Sequence, residues 1–172
     1  MSWLSPVATV ILLFAAAPAS GQEPNDIMKI NAEVLQLGRS GKLAEAEALA
    51  LKTVKATEAS AQADMAAFTL STLGLVYSEH HAFDRGLTVL QRAIKTCEAR
   101  PQQGLCRRAL SSAWNNLALV HEGRADVAAA RAAFERSLAT LDTQRPGHEL
   151  AEASINENLG NLERQLGQYK QA

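Results

Sequence analysis

Trp114–Leu138 reads WNNLALVHEGRADVAAARAAFERSL. Trp114, Leu117, Ala118 and His121 recur three or four residues apart, stop at a short polar turn, and the pattern resumes with Val127, Ala130, Phe134 and Leu138. Such spacing lines each set along one face of an α-helix. The stretch is therefore two amphipathic helices back to back, each with a face to bury. Ala118 and Ala130 stand where bulkier side chains would hold the helices apart, so the pair predicts a closely packed antiparallel hairpin.

The hairpin recurs. SGKLAEAEALALKTV from Ser40, HHAFDRGLTVLQRAI from His80, RADVAAARAAFERSL from Arg124 and LGQYKQA from Leu166 superimpose without gaps. Gly41, His81, Ala125 and Gly167 are the equivalent turn residues, at steps of 40, 44 and 42. Leu43, Phe83, Val127 and Tyr169 each open a second helix, and a small residue returns as Ala46, Gly86, Ala130 and Ala172. In the first helices Leu73-Gly74, Leu117-Ala118 and Leu159-Gly160 share a register, with Val34 at the glycine position of the first unit. A single hairpin cannot bury both of its faces, so repeated hairpins stack and merge their apolar stripes into one core. EARPQQG (Glu98–Gly104) and TQRPGHE (Thr143–Glu149) hold the Pro and Gly that stop one helix and let the next begin.

Trp114, Leu117, Ala118, His121, Ala130 and Phe134 are spaced as in the tetratricopeptide signature of Trp, Leu, Gly, Tyr, Ala and Phe. Leu73, Gly74, Tyr77, Gly86 and Leu90 resemble it as well. Steps near 42 residues, longer than the usual 34 of this repeat, make the chain most similar to the long repeats of the kinesin light chain type. His121 and Glu163 stand where the family has Tyr, Asn156 where it has Trp, and Glu33 where Leu is usual. The resemblance implies an all-α fold, an α-solenoid of stacked antiparallel helix pairs whose first helices line a concave side. The implied organisation is residues 1–21 as a signal peptide and 22–172 as the repeat domain, with units at about 26–60, 64–100, 105–143 and 148–172, the last incomplete.

The signal peptide rests on MSWLSPVATVILLFAAAPASG, apolar from Val7 to Ala17 and followed by small residues at Ala19, Ser20 and Gly21. An apolar core of about a dozen residues is too short to span a bilayer, which needs about 20. No Lys or Arg precedes it, which leaves a misassigned start codon or an uncleaved anchor as alternatives to export. The export reading places the mature chain in a periplasm or outside the cell, with no stable membrane insertion after cleavage. Ala172 falls a few residues into the fourth unit's second helix. Either the chain is a fragment of something longer or this uncapped end is a surface for self-association.

The 17 Lys and Arg against 18 Asp and Glu leave a formal charge of −1, with no long run of one sign. That balance argues against a nucleic-acid or anionic-membrane surface. Glu79-His80-His81 lies at a helix turn, and His121 has no second His four residues on, so neither predicts a metal site. No Gly-rich phosphate loop, Gly-x-Ser-x-Gly turn or Cys/His pairing appears, so no catalytic residue, metal or cofactor is expected. Cys97 and Cys106 bracket the connection between the second and third hairpins. Export predicts a disulfide there, whereas a cytosolic chain would keep two free buried thiols.

The expected function is a non-catalytic scaffold for a protein or peptide ligand. What the resemblance implies is a concave groove presenting Asn31 and Leu35, then Ser71, Leu75 and Ser78, then Asn115, Asn116, Leu119 and Glu122, and last Glu157, Asn158, Asn161 and Arg164. Asparagine amides can donate to and accept from an extended backbone at once. Asn116 and Asn158 have a second reading, as bonds between neighbouring helices. Leu35, Leu75 and Leu119 share one repeat position and predict an apolar ladder, or else the upper edge of the core. The Lys and Arg clusters that grip a C-terminal carboxylate in some members are absent. The alternative function is a repeat arm of a larger regulatory protein or enzyme.

Overall fold

A computed structural model describes residues 24–101 and 104–169. The expected signal peptide and the expected start of an eighth helix at Tyr169–Ala172 fall largely outside them. The described residues form seven α-helices and no strand: α1 (Pro24–Arg39), α2 (Leu43–Ala59), α3 (Ala63–Glu79), α4 (Phe83–Glu98), α5 (Cys106–Gly123), α6 (Val127–Ala139) and α7 (His148–Tyr169). Ala and Leu favour helix intrinsically. Asp26, Glu45, Asp64, Asp84 and Glu149 place negative charge in first turns, where the helix dipole is positive. At α6 the Asp126 carboxylate caps the helix by accepting from the Ala129 amide at 3.2 Å.

The turns repeat one geometry. Gly41, His81 and Ala125 all adopt left-handed backbone, with φ of 81°, 55° and 59°. The amide three residues past each helix end reaches back five residues: Lys42 to Leu37, Ala82 to Tyr77 and Asp126 to His121. These are Schellman closures, which satisfy the last carbonyls of a helix while reversing the chain. Ala61, at φ 58° with Gln62 bonded to Thr57, makes the same closure between α2 and α3. The turn expected at Gly167 does not form, because α7 runs on through it to Tyr169. Glycine permits a left-handed turn without imposing one, and inside a helix it costs only about 1 kcal/mol against Ala.

Each helix packs on the next, and α1 also packs on α3 and α3 on α5. Small residues set the closeness. Ala46, Ala118 and Ala130 are fully buried, and a methyl group at Gly86 would lie 3.0 Å from Val120 Cγ2. With α1, α2, α4 and α5 around it, α3 is buried without interruption from Met65 to Gly74. The core continues on one side through Val34, Ala46, Ala50, Leu73 and Tyr77. On the other it runs through Ala118, Ala130, Phe134, Ile155 and Leu162. No helix among the described residues is long and apolar enough to cross a membrane.

Candidate functional site

Four odd-numbered helices contribute to one groove of about 270 Å³. Leu35 comes from α1, Phe68, Ser71, Thr72 and Leu75 from α3, and Arg108, Ser111, Ser112, Asn115 and Asn116 from α5. Ala151, Ser154 and Ile155 of α7 close the far wall. On α3 the lining residues fall at i, i+3, i+4 and i+7, one face of the helix. The face is mixed by design of its spacing: Leu35, Phe68, Leu75 and Ile155 are apolar, and hydroxyls and amides stand between them.

Much of the polar lining is already engaged. Asn116, buried, donates from Nδ2 to the Ser71 carbonyl at 3.0 Å and to Ser71 Oγ at 3.4 Å. Asn158 Nδ2 donates to Asn115 Oδ1 at 3.2 Å, and Asn115 Nδ2 donates to Asn116 Oδ1 at 3.3 Å. This relay ties α7 to α5 and α5 to α3, so Asn116 and Asn158 bond neighbouring helices. Ser111 is held by α6, its hydroxyl donating to the Ser137 carbonyl at 3.1 Å while Ser137 Oγ returns a bond to the Ser111 carbonyl at 2.7 Å. Thr72 Oγ1 bonds back to the Phe68 carbonyl. Asn115 is half-buried and keeps capacity beyond the relay. The Ser112 and Ser154 hydroxyls make no hydrogen bond to a described residue.

Leu35, Ser71, Leu75, Asn115 and Asn116 of the sequence-derived set therefore meet in one place. The others do not. Asn31 is 4% exposed and does not line the groove, and neither of its amide atoms is bonded to a described residue. Leu119 is outside this lining and packs against the cluster that holds Ala118, Phe134, Ile155 and Leu162, to which α5, α6 and α7 all contribute. Asn158, Asn161 and Arg164 line a separate polar cavity of about 340 Å³ with Glu122 and Gln165. There Gln165 Nε2 donates to Glu122 Oε1 at 3.1 Å and Arg164 donates to Asn161. Glu157, exposed, and Ser78, half-buried, border neither space.

Phe68, Ser112 and Ser154 went unrecognised in the sequence although they occupy a single repeat position, one helical turn before Thr72, Asn116 and Asn158. Stepping back four residues along each first helix would have found them. Arg108 carried no comparable signal. It is half-buried, its Cζ sits 4.7 Å from the Phe68 ring centroid, and its Nη1 donates to Met28 Sδ at 3.4 Å. Burial, and after it the like charge of Arg145, pulls its pKa below the ordinary arginine value. A guanidinium stays protonated regardless.

A second cavity of about 250 Å³ adjoins the groove and shares Arg108, Ser111, Ser112 and Ala151 with it. Its outer wall is the α6–α7 connection, Leu141, Asp142 and Arg145 to Gly147, together with His148. The Glu79-His80-His81 turn lies elsewhere: His80 Nε2 bonds the Gly38 carbonyl at 2.9 Å and His81 takes the left-handed turn.

Cys97 and Cys106 are free thiols in the structure, 0% and 1% exposed. The expected bridge is not formed, yet the two side chains are close enough to hydrogen-bond each other. Burial pushes both thiols above the ordinary range. The Asp64 carboxylate, accepting from the Leu105 amide at 3.0 Å, anchors the connection that Cys97 and Cys106 bracket. Compared with known proteins, the chain matches no family model and no curated protein.

Proposed function

We propose that this chain is a non-catalytic binding scaffold of the tetratricopeptide type, a short solenoid whose groove across α1, α3, α5 and α7 holds an extended segment of a partner protein. The observation that carries this reading is the groove's lining. Apolar Leu35, Phe68, Leu75 and Ile155 alternate with Ser112, Asn115 and Ser154 over four helices, so side chains of a ligand find area while its backbone groups find partners on leaving water. The direct packing of α1 on α3 and of α3 on α5 is what a row of first helices requires. In this reading residues 1–21 direct export and are removed. In an oxidising compartment the adjacent Cys97 and Cys106 then close their bridge.

Ser112→Phe tests the groove. Ser112 is half-buried and loses no bond to a described residue, and Phe already stands at the same repeat position as Phe68. Ligands selected on the wild-type chain from a library of random peptides about ten residues long should bind S112F at least about tenfold more weakly, with the melting temperature held. Selection of no ligand, or of ligands that bind S112F unchanged, overturns the groove assignment.

A further inference from the structure

Arg39, Arg85, Arg92, Arg107, Arg124, Arg131 and Arg136 each face a carboxylate across a helix boundary. Arg108 has no carboxylate partner among the described residues, although it is more enclosed than these. What surrounds it is the Phe68 ring, the Met28 sulfur and the like charge of Arg145. A guanidinium offers five N–H donors in a planar fork, and a thioether is a weak acceptor, so nearly all of that capacity is unmatched among the described residues. A half-buried cation beside a second cation is an electrostatic deficit that an anion at the same place relieves.

The surroundings select the anion. The fork matches a carboxylate bidentately. A dianionic phosphate would share the space with Asp142, which borders the adjoining cavity and is paired to Arg107 at 3.3 Å. On the groove side of Arg108 the lining is apolar, hydroxyl or amide, and Arg145 and His148 border only the adjoining cavity, which suits a singly charged side chain set among apolar ones. Position argues for an internal residue of the ligand and not its terminus: Arg108 stands where the groove and the second cavity meet, so a bound chain continues to both sides of it.

Resting on the peptide-binding reading above, we propose that Arg108 is the acid-reading position of the groove. It takes the side-chain carboxylate of an Asp or Glu inside the bound segment, whose flanking apolar side chains lie on Phe68, Leu75 and Ile155.

The test uses the peptides selected on the wild-type chain and sensitive to S112F, synthesised with amidated C-termini. They are expected to share one acidic residue with apolar neighbours. Replacing that residue by Gln or Asn should weaken binding about tenfold on the wild-type chain and less than about twofold on R108Q. R108K, which keeps the charge and loses the fork, should fall between. Raising NaCl from about 50 to 500 mM should narrow the acid-to-amide difference. Groove-sensitive peptides that lack a recurrent acid overturn this assignment while leaving the groove reading intact, and so does an acid-to-amide penalty equal on R108Q and wild type. A phosphoserine that binds tighter than the acid in its place overturns the choice of carboxylate. Affinity that needs a free C-terminus overturns the choice of an internal residue. Failure of the groove reading itself is marked by the S112F comparison, and the selection on wild type decides the acid preference even if a variant does not fold.

Discussion

Replacing Gly74 by Ala puts a methyl group 2.4 Å from Cγ and Cδ2 of Leu90 and 2.9 Å from its Cδ1. Leu90 is fully buried, so it can yield only by pushing into its own neighbours. Overpacking of a filled core costs about 1–3 kcal/mol. The tightness of these contacts places the cost in the upper part of that range, and the better helix propensity of Ala returns about 1 kcal/mol. The net expectation is a loss of about 1–2 kcal/mol, a fall in Tm of roughly 2–8 °C for a chain of this length. Gly160 occupies the same repeat position, yet a methyl group there meets nothing within 4 Å. Gly160→Ala should therefore keep only the propensity gain and raise Tm by roughly 2–4 °C. Thermal and urea melts followed by far-ultraviolet circular dichroism give both signs. On a Leu90→Ala background the penalty at Gly74 should vanish, since the atoms it strikes are gone. A Gly74→Ala chain as stable as wild type, or a Gly160→Ala chain that melts earlier, refutes the packing of α3 on α4 described above.

Alkaline solution should weaken the reduced protein in two steps. Burial raises the pKa of Cys97 and Cys106 in the folded chain, so their contribution is intact below the unfolded thiol value, about 8.5, and is lost as pH climbs above it. Tyr77 is pushed from 10.0 up to about 12, by burial first and then by its bond to the Glu47 carboxylate, and its contribution is lost between those values. Urea midpoints at rising pH measure both, and protein oxidised to close the Cys97–Cys106 bridge should show the Tyr77 step alone; a reduced protein whose midpoint is flat from about pH 8.5 to 10 contradicts the buried-thiol description. Asn31→Leu should stabilise the fold by about 1–3 kcal/mol, because it removes a buried amide with no bonded partner among the described residues. A lowered urea midpoint in that variant would show that the amide is satisfied and structural.

Helix, turn and repeat were readable in the chain because they are local. The 3.6-residue spacing of Trp114, Leu117, Val127 and Phe134 and the register of Gly41, His81 and Ala125 needed no knowledge of neighbours. Even so, Ala61 gave no sign of its left-handed turn. A non-glycine residue there bears a strain of about 1–2 kcal/mol, which the packing of α2 on α3 sustains and the local sequence does not display. Gly167 gave the opposite false signal, a permissive residue that the helix passes through.

Repeat spacing pairs Leu35 with Leu75 and Ser71 with Asn115, and these four line one groove together with Asn116. Which of those positions stay open was decided by the tertiary structure. Val34, Gly74, Ala118 and Gly160 share one position, but the first three are buried and Gly160 is exposed, because coverage depends on which helix lies across the site. For the same reason Asn31 is buried and Leu119 packs against the core cluster of Ala118, Phe134 and Ile155 instead of lining the groove. Ion pairing is equally nonlocal. Seven arginines found carboxylates from 32 to 40 residues away, as Arg131 did in Glu163 and Arg39 in Glu79, and no pattern along the chain distinguishes them from Arg108. Its lack of a counterion among the described residues exists only once α1, α3 and α5 have packed, because an electrostatic deficit is a property of the space around a charge and not of the residue that carries it.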